Sequence, residues 1–215
     1  INGVPADVVS QVLSQMRATR PEMMKLAAPV LPDTMLHGGE TISFGSFSFK
    51  VLWTPGHSPG HVCLYEPIQE ILITGDHILP TITPDVNLEP NSSPNPLDDY
   101  LNSLNEIKQL KVSLVLPGHR QPFTNLPQRI EEIIQNYKQR SSEILEAVKA
   151  EAKTAYQIST EMTWIINMKP VSSQDMGPWE RRLAFLKTLA HLESMRFKGK
   201  VDKFLKDNIV YYQST

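Results

Sequence analysis

Three times in this 215-residue chain an apolar stretch breaks into a short turn in which glycine precedes a histidine or an aspartate. The first turn is Thr54-Pro55-Gly56-His57-Ser58-Pro59-Gly60-His61, after a run ending at Trp53. The second is Thr74-Gly75-Asp76-His77, after Ile71 to Ile73, and the third is Leu116-Pro117-Gly118-His119, after Val112 to Val115. A chain patterned this way places side chains able to bind a metal just past rigid strand ends, which hold ligands in fixed geometry. Glycine before each candidate lets the backbone turn sharply without steric cost.

The remaining periodicity supplies the scaffold. Ile42 and Phe44, then Phe47, Phe49, Val51 and Trp53, alternate as strands do, with Gly45-Ser46 as a tight hairpin turn. Val62 to Tyr65 and Ile71 to Thr74 form a second pair turned around Pro67 to Glu70, and Val112 to Leu116 a short buried strand. Val8, Val9, Val12, Leu13 and Met16 predict a helix over 5–18 that Pro21 ends or follows. A proline-punctuated loop then runs through Pro29 and Pro32 to Gly38-Gly39. Asn95 as cap, Pro96 at the first helical position, and Asp98 and Asp99 in the first turn open a helix. Its apolar face is Leu97, Tyr100, Leu101, Leu104, Ile107 and Leu110. Pro127 starts a long helix whose stripe runs from Ile130 through Ile133, Ile134 and Tyr137 to Ile144 and Val148. Residues 78–96 are rich in proline and have no period; a loop of that length is usually functional or disordered. Here it either lines a substrate cleft or covers a sheet edge.

From about Thr154 the chain reads as a small module. Thr154 caps a short helix over 155–162, a longer helix spans about 178–195, and strands around Val201 to Phe204 and Ile209 to Tyr212 join near Asp207-Asn208. Helices followed by a small hairpin resemble a winged-helix module. The expected organisation is therefore a domain over 1–126, a connecting long helix over 127–153, and this module over 154–215.

Composition serves mainly to exclude. The chain is 40% hydrophobic and 20% charged with a net charge of -2, which is ordinary for a soluble globular protein. No stretch approaches the ~20 apolar residues of a membrane span, and no signal peptide is visible. One cysteine, Cys63, rules out an internal disulfide and reads as a buried thiol in a reducing compartment, hence a cytoplasmic protein. Two imidazoles and a carboxylate suit zinc, iron or manganese, and the lack of thiolates argues against a Cys-rich structural zinc site. A metal with an open position lowers the pKa of its water and delivers hydroxide near neutral pH. Residues 178–206 set Arg181, Arg182, Lys187, Arg196, Lys198, Lys200, Lys203 and Lys206 against Glu180, Glu193 and Asp202. That basic bias either meets a phosphate backbone or is a solvated helix face.

The order Pro-Gly-His-x-x-Gly-His, Gly-Asp, Pro-Gly-His resembles the second half of the metallo-beta-lactamase superfamily. The longer strings Thr54 to Tyr65, Gly75 to Pro84 and Leu114 to Pro122 carry the same resemblance, strongly over about 35–125 and more weakly in the C-terminal module. It implies an α+β fold: the C-terminal half of an αββα sandwich with metals at one edge, followed by the winged-helix-like module. It implies that His57 completes the three-histidine side of a first metal, that Asp76 bridges two metals and serves catalysis, and that His119 binds the second. It leaves His61 out of the ligand set. One or two Zn2+ ions, or Fe or Mn, are the implied cofactors. A small-molecule ester, thioester, lactone, amide or phosphodiester is the implied substrate, cleaved by metal-activated hydroxide. Some members act on RNA with a similar C-terminal module, so an RNA- or DNA-binding, endoribonuclease-type protein is the alternative. Simpler readings stand beside these: His57 as a hydrogen-bonding turn residue, Asp76 as a cap or turn aspartate, His119 as a loop histidine. His61 and His77 read as supporting residues, His37 and His191 as ordinary surface or helix histidines, Cys63 as core, and Trp53 and Tyr65 as packing between layers.

One departure bears on what the chain does alone. The superfamily's His-x-His-x-Asp-His signature is absent, since no two of the six histidines are separated by a single residue. The expectation is a truncated or cleaved part of a longer enzyme, inactive by itself, whose missing N-terminal segment supplies the other ligands. A complementing chain and a degenerate protein are the alternatives, and a homodimer through the 127–150 stripe is a further one.

Overall fold

The computed structural model describes residues 2–26, 31–166 and 168–215. Pro29 of the expected loop lies outside the described residues. The protein is a mixed α+β chain that divides into two compact units, Leu36–Ser142 and Ile1–Met35 with Glu143–Thr215.

The first helix, α1 (Ala6–Leu26), differs from its expected length because it runs through Pro21 instead of stopping there. An interior proline removes one helical hydrogen bond and disfavours the helix by about 3 kcal/mol. The following Glu22, Met23, Met24, Lys25 and Leu26 are good helix formers that favour continuation. Of its expected apolar stripe only Val8 is buried; Val9, Leu13 and Met16 are exposed.

The unit over Leu36–Ser142 is built on one sheet of five strands in the order β1-β2-β3-β4-β5. These are β1 (Thr41–Phe44), β2 (Phe47–Trp53), β3 (Val62–Glu66), β4 (Ile71–Gly75) and β5 (Leu114–Pro117). The β1–β2 hairpin turns at Gly45, as its spacing predicts. β2 is antiparallel to β3, β3 is antiparallel to β4, and β4 is parallel to β5. It follows that β2, β4 and β5 all run the same way and end at the same edge of the sheet. This topology brings together three turns that are far apart in sequence.

Strand alternation sends the Tyr65, Leu72 and Val115 row to one face, where all three are buried together with Cys63 and Thr74. The opposite row of Val51, Leu64, Ile73 and Leu116 buries Val51 completely and the rest in part. α2 (Pro96–Ile107) starts at Asn95, whose side chain accepts from the Asp98 N–H, with Pro96 at the first position. It buries Leu97, Tyr100, Leu104 and Ile107. α3 (Leu126–Ala147) buries Ile130, Ile133 and Tyr137, and the Tyr100 and Tyr137 rings meet 5.5 Å apart.

In the other unit, Thr154 and Gln157 form a reciprocal capping box at the start of α4 (Ala155–Glu161). A hairpin absent from the sequence expectations follows, β6 (Trp164–Ile166) with β7 (Lys169–Val171). α5 (Pro178–Phe197) leads to the expected hairpin of β8 (Val201–Lys206) and β9 (Ile209–Ser214). Asp207 and Asn208 both take positive φ there, as a two-residue turn of matching twist requires. Part of the basic bias of this region is used internally. Arg196 and Lys203 both pair with the buried Glu193, and the Arg182 guanidinium lies over Trp179. Among the described residues no helix is long and apolar enough to cross a membrane.

Candidate metal centre

His57 sits in the turn after β2, Asp76 directly after β4, and His119 in the bend after β5. The shared strand direction brings them together around the Asp76 carboxylate. His57 Nε2 lies 4.0 Å from Asp76 Oδ2, and His119 Nε2 lies 3.3 Å from Asp76 Oδ1. Each carboxylate oxygen thus faces one imidazole. The side chains are 31%, 39% and 67% exposed for His57, Asp76 and His119, so the group is open to solvent and increasingly so toward His119. Among the described residues no three His, Cys, Asp or Glu side chains close into a complete metal-holding cluster.

The His57 ring is held in one orientation. Its Nδ1 meets the carbonyl oxygen of Asp85 at 2.7 Å. A carbonyl only accepts, so Nδ1 carries a proton, and in the neutral ring the lone pair is then on Nε2, on the Asp76 side. A metal-ligating histidine needs this arrangement, with the far ring nitrogen donating to a carbonyl or carboxylate. The donor set therefore fits a zinc, iron or manganese ion.

Two glycines are required for different reasons. Gly56 has φ +132°, and a Cβ there would lie 2.3 Å from Tyr100 Cβ, so only glycine lets the His57 turn press against α2. Gly118 does not take positive φ, contrary to the expectation of a glycine-dependent turn. It is needed for close approach: its N–H donates to the Gly75 carbonyl at 2.7 Å, and a Cβ would sit 2.7 Å from Asp76 Oδ1.

The other two histidines of the motifs lie behind this group. His61 Nδ1 bonds the Thr54 hydroxyl at 2.8 Å, and the Thr54 N–H donates to the His61 carbonyl, closing the turn. Burial, then the nearby His57, push the His61 pKa down. His61 stacks on His77 at 5.5 Å. His77 is completely buried, and neither ring nitrogen meets a hydrogen-bond partner among the described residues. Burial pushes its pKa down to about 3, helped by His61 and His57, so it is neutral at physiological pH. Cys63 is core, its thiol pushed up to about 12 by burial. His37 is exposed, and His191 is buried within α5.

Trp53 does not pack between layers as expected. It is 54% exposed, and its indole N–H donates to the Pro59 carbonyl at 2.9 Å, bracing the His57 turn. It ends β2 opposite Val62, at the last position of the β2–β3 register before the chain leaves the sheet. The supporting roles of Asp85, Tyr100 and Ser103 also escape sequence reasoning. Tyr100 Oη donates to the His77 carbonyl at 2.7 Å, and Ser103 Oγ to the Pro55 carbonyl at 3.1 Å. One helix thus pins the turns carrying both His57 and Asp76. The acceptors are backbone groups, which no residue type signals.

The sequence matches the model of the metallo-beta-lactamase superfamily over residues 8–119. It is 24% identical over 174 residues to the probable metallo-hydrolase YqjP of Bacillus subtilis, covering 79% of this chain and 51% of that protein. It is 32% identical over 113 residues to the acyl-coenzyme A thioesterase MBLAC2 of Gallus gallus, covering 51% of this chain and 38% of that one. A metallo-beta-lactamase family protein from Thermus thermophilus superposes with a TM-score of 0.77 at 27% identity, over 98% of this chain and 66% of that chain. The chain spans about half the length of the curated relatives that it matches over most of its own length.

Proposed function

The chain belongs to the metallo-beta-lactamase superfamily, and from that premise we propose that it is part of a metal-dependent hydrolase whose site uses His57, Asp76 and His119 as ligands. The observation that carries this reading is the convergence of His57 Nε2 at 4.0 Å and His119 Nε2 at 3.3 Å on the two oxygens of Asp76, with His57 Nδ1 tied to the Asp85 carbonyl. With the imidazole neutral, its Nε2 lone pair and the carboxylate are two electron-pair donors facing the same space, which a metal cation can share. Asp76, with one imidazole at each oxygen, is the residue suited to bridge two ions. Zinc, with iron or manganese as alternatives, supplies Lewis-acid activation of water and of the scissile carbonyl. His57 would hold its place through the Asp85 carbonyl, and the part-exposed Asp76 carboxylate would hold the ion at an edge that solvent reaches. These residues form part of a site, and its remaining ligands come from outside residues 1–215; on this reading the 215 residues alone are inactive. We read the C-terminal helices and the β8–β9 hairpin as a winged-helix-like module.

Among the substrates open to such a site we favour acyl esters and thioesters. The similarity to a protein named as an acyl-coenzyme A thioesterase supports that choice. The test is turnover by the whole protein of acyl-coenzyme A thioesters, p-nitrophenyl esters and bis-p-nitrophenyl phosphate, before and after chelation and metal return. The reading expects acyl hydrolysis that chelation abolishes and zinc restores. Acyl hydrolysis that survives chelation, or a preference for the phosphodiester, would contradict it.

A further inference from the structure

The segment 78–86 between Asp76 and α2 has no regular structure, yet it is held at point after point by α3. Arg129 is 6% exposed. Its Nε donates to the Leu79 carbonyl at 2.7 Å and its Nη2 to the Ile82 carbonyl at 2.9 Å. Asn136 Nδ2 donates to the Thr83 hydroxyl at 2.9 Å. Two turns along α3 from Arg129, the buried Tyr137 hydroxyl donates to the Pro84 carbonyl. The backbone N–H of Val86 faces the same hydroxyl, opposing the upward push on its pKa from burial and from Asp85. These contacts follow the segment from Leu79 to Pro84, and the Tyr137 hydroxyl reaches the peptide group beside His57. The Asp85–Val86 peptide turns its N–H toward Tyr137 and its carbonyl toward His57 Nδ1. A carbonyl gripped from behind has little freedom to leave the imidazole.

We propose that Arg129 and Tyr137 are positioning residues for His57: they shape the 79–86 segment so that the Asp85 carbonyl fixes the imidazole as its Nδ1–H form, with Nε2 toward Asp76. The guanidinium suits this task because its planar fork reaches two carbonyls from one buried stem. The functional meaning rests on His57 being a metal ligand, as proposed above. The hydrogen-bond relay itself does not require a metal. It also gives the proline-rich segment a role distinct from lining a cleft: Pro80 and Pro84 limit its backbone freedom while α3 sets its path.

The experiment reads the His57 tautomer in the metal-free 215-residue chain, by proton–nitrogen correlation spectra of the imidazoles at about pH 8.5, above the ordinary imidazole pKa of about 6.5. The His57 signals are assigned by their loss in His57→Gln. The wild type is expected to hold His57 in the Nδ1–H form. Tyr137→Phe keeps the ring and removes only the hydroxyl, and Arg129→Lys keeps the charge and loses the fork. Each is expected to lower the ratio of Nδ1–H to Nε2–H by about tenfold, the scale of one hydrogen bond. Glu132→Gln removes the Arg129 Nη1 ion pair at 3.0 Å but neither carbonyl bond, and is expected to leave the ratio unchanged. A wild-type His57 in the Nε2–H form overturns the proposal. So do Tyr137→Phe and Arg129→Lys proteins that melt lower yet keep the wild-type ratio, because their role is then purely structural. Failure of the metal-ligand reading shows separately, as absence of bound metal, and leaves the tautomer result intact.

Discussion

Replacing Gly56 by alanine should cost far more than any other single methyl group added to the first turn. At φ +132° an L residue is strained, and the new Cβ would lie 2.3 Å from Tyr100 Cβ, 2.5 Å from its Cα and 2.8 Å from its N. These are atoms of a completely buried helix residue whose hydroxyl is tied to the His77 carbonyl, so neither side yields cheaply. Backbone strain in a sparsely populated region contributes about 1–3 kcal/mol. Overpacking contributes a comparable ~1–3 kcal/mol, for a combined cost of about 4 kcal/mol. In a chain of this size each kcal/mol lowers the melting temperature by about 2–4 °C, which puts the fall near ~8–16 °C. Gly60 in the same turn is the control. Its φ lies outside the left-handed region and nothing lies within 4 Å of a Cβ there. Gly60→Ala should stay within about 0.5 kcal/mol of wild type. Thermal unfolding followed by circular dichroism compares the two. Equal melting temperatures, or a Gly56→Ala protein within about 2 °C of wild type, would refute the argument that the turn is pressed against α2.

Burial depresses the His77 pKa to about 3, so the unfolded chain binds this proton at a higher pH than the folded one. Stability from this group is whole above about pH 6.5 and falls toward pH 3, by up to ~1.4 kcal/mol per pH unit; urea unfolding of the metal-free protein should show a flatter pH slope in His77→Gln, and identical slopes would count against it. Glu193 is 4% exposed and accepts from Arg196 Nε at 2.6 Å, Lys203 Nζ at 2.7 Å and Tyr212 Oη at 2.9 Å. Glu193→Gln should lose about 2 kcal/mol, since bonds to a charged group are worth more than neutral ones; a urea midpoint equal to wild type would remove it as the pin between α5 and the β8–β9 hairpin.

Much of the scaffold was legible because its signals are local. Alternation from Ile42 to Trp53 marks a hairpin, and Asn95-Pro96 marks a helix start, whatever surrounds them. His57, Asp76 and His119 stand out because each follows an apolar run at a glycine turn. Their convergence is a matter of topology, which rests on β2, β4 and β5 sharing a direction. The failures have physical causes too. Pro21 is a strong local stop that the residues after it override. β6 and β7 are three residues each, too short for a period to register, and Pro170 lies within β7. Trp53 looks like core because it continues the alternation of Phe49 and Val51, but at the last position of β2 it stays 54% exposed and its indole N–H turns to the Pro59 carbonyl. Asp85 acts through its carbonyl, which every residue possesses, and Tyr137 is indistinguishable from its neighbours in the stripe until its hydroxyl is seen to face Pro84.

The most direct test of the central claim is the metal content of the whole protein, purified without chelator, as wild type and as His57→Ala, Asp76→Ala and His119→Ala. The account predicts bound zinc, iron or manganese in the wild type, at one or two ions per chain. It predicts the largest loss in Asp76→Ala, because each Asp76 oxygen faces a different imidazole, and partial loss in each histidine variant. Wild-type metal content in all three variants would contradict the account, since the ions would then be held by residues other than those at this sheet edge.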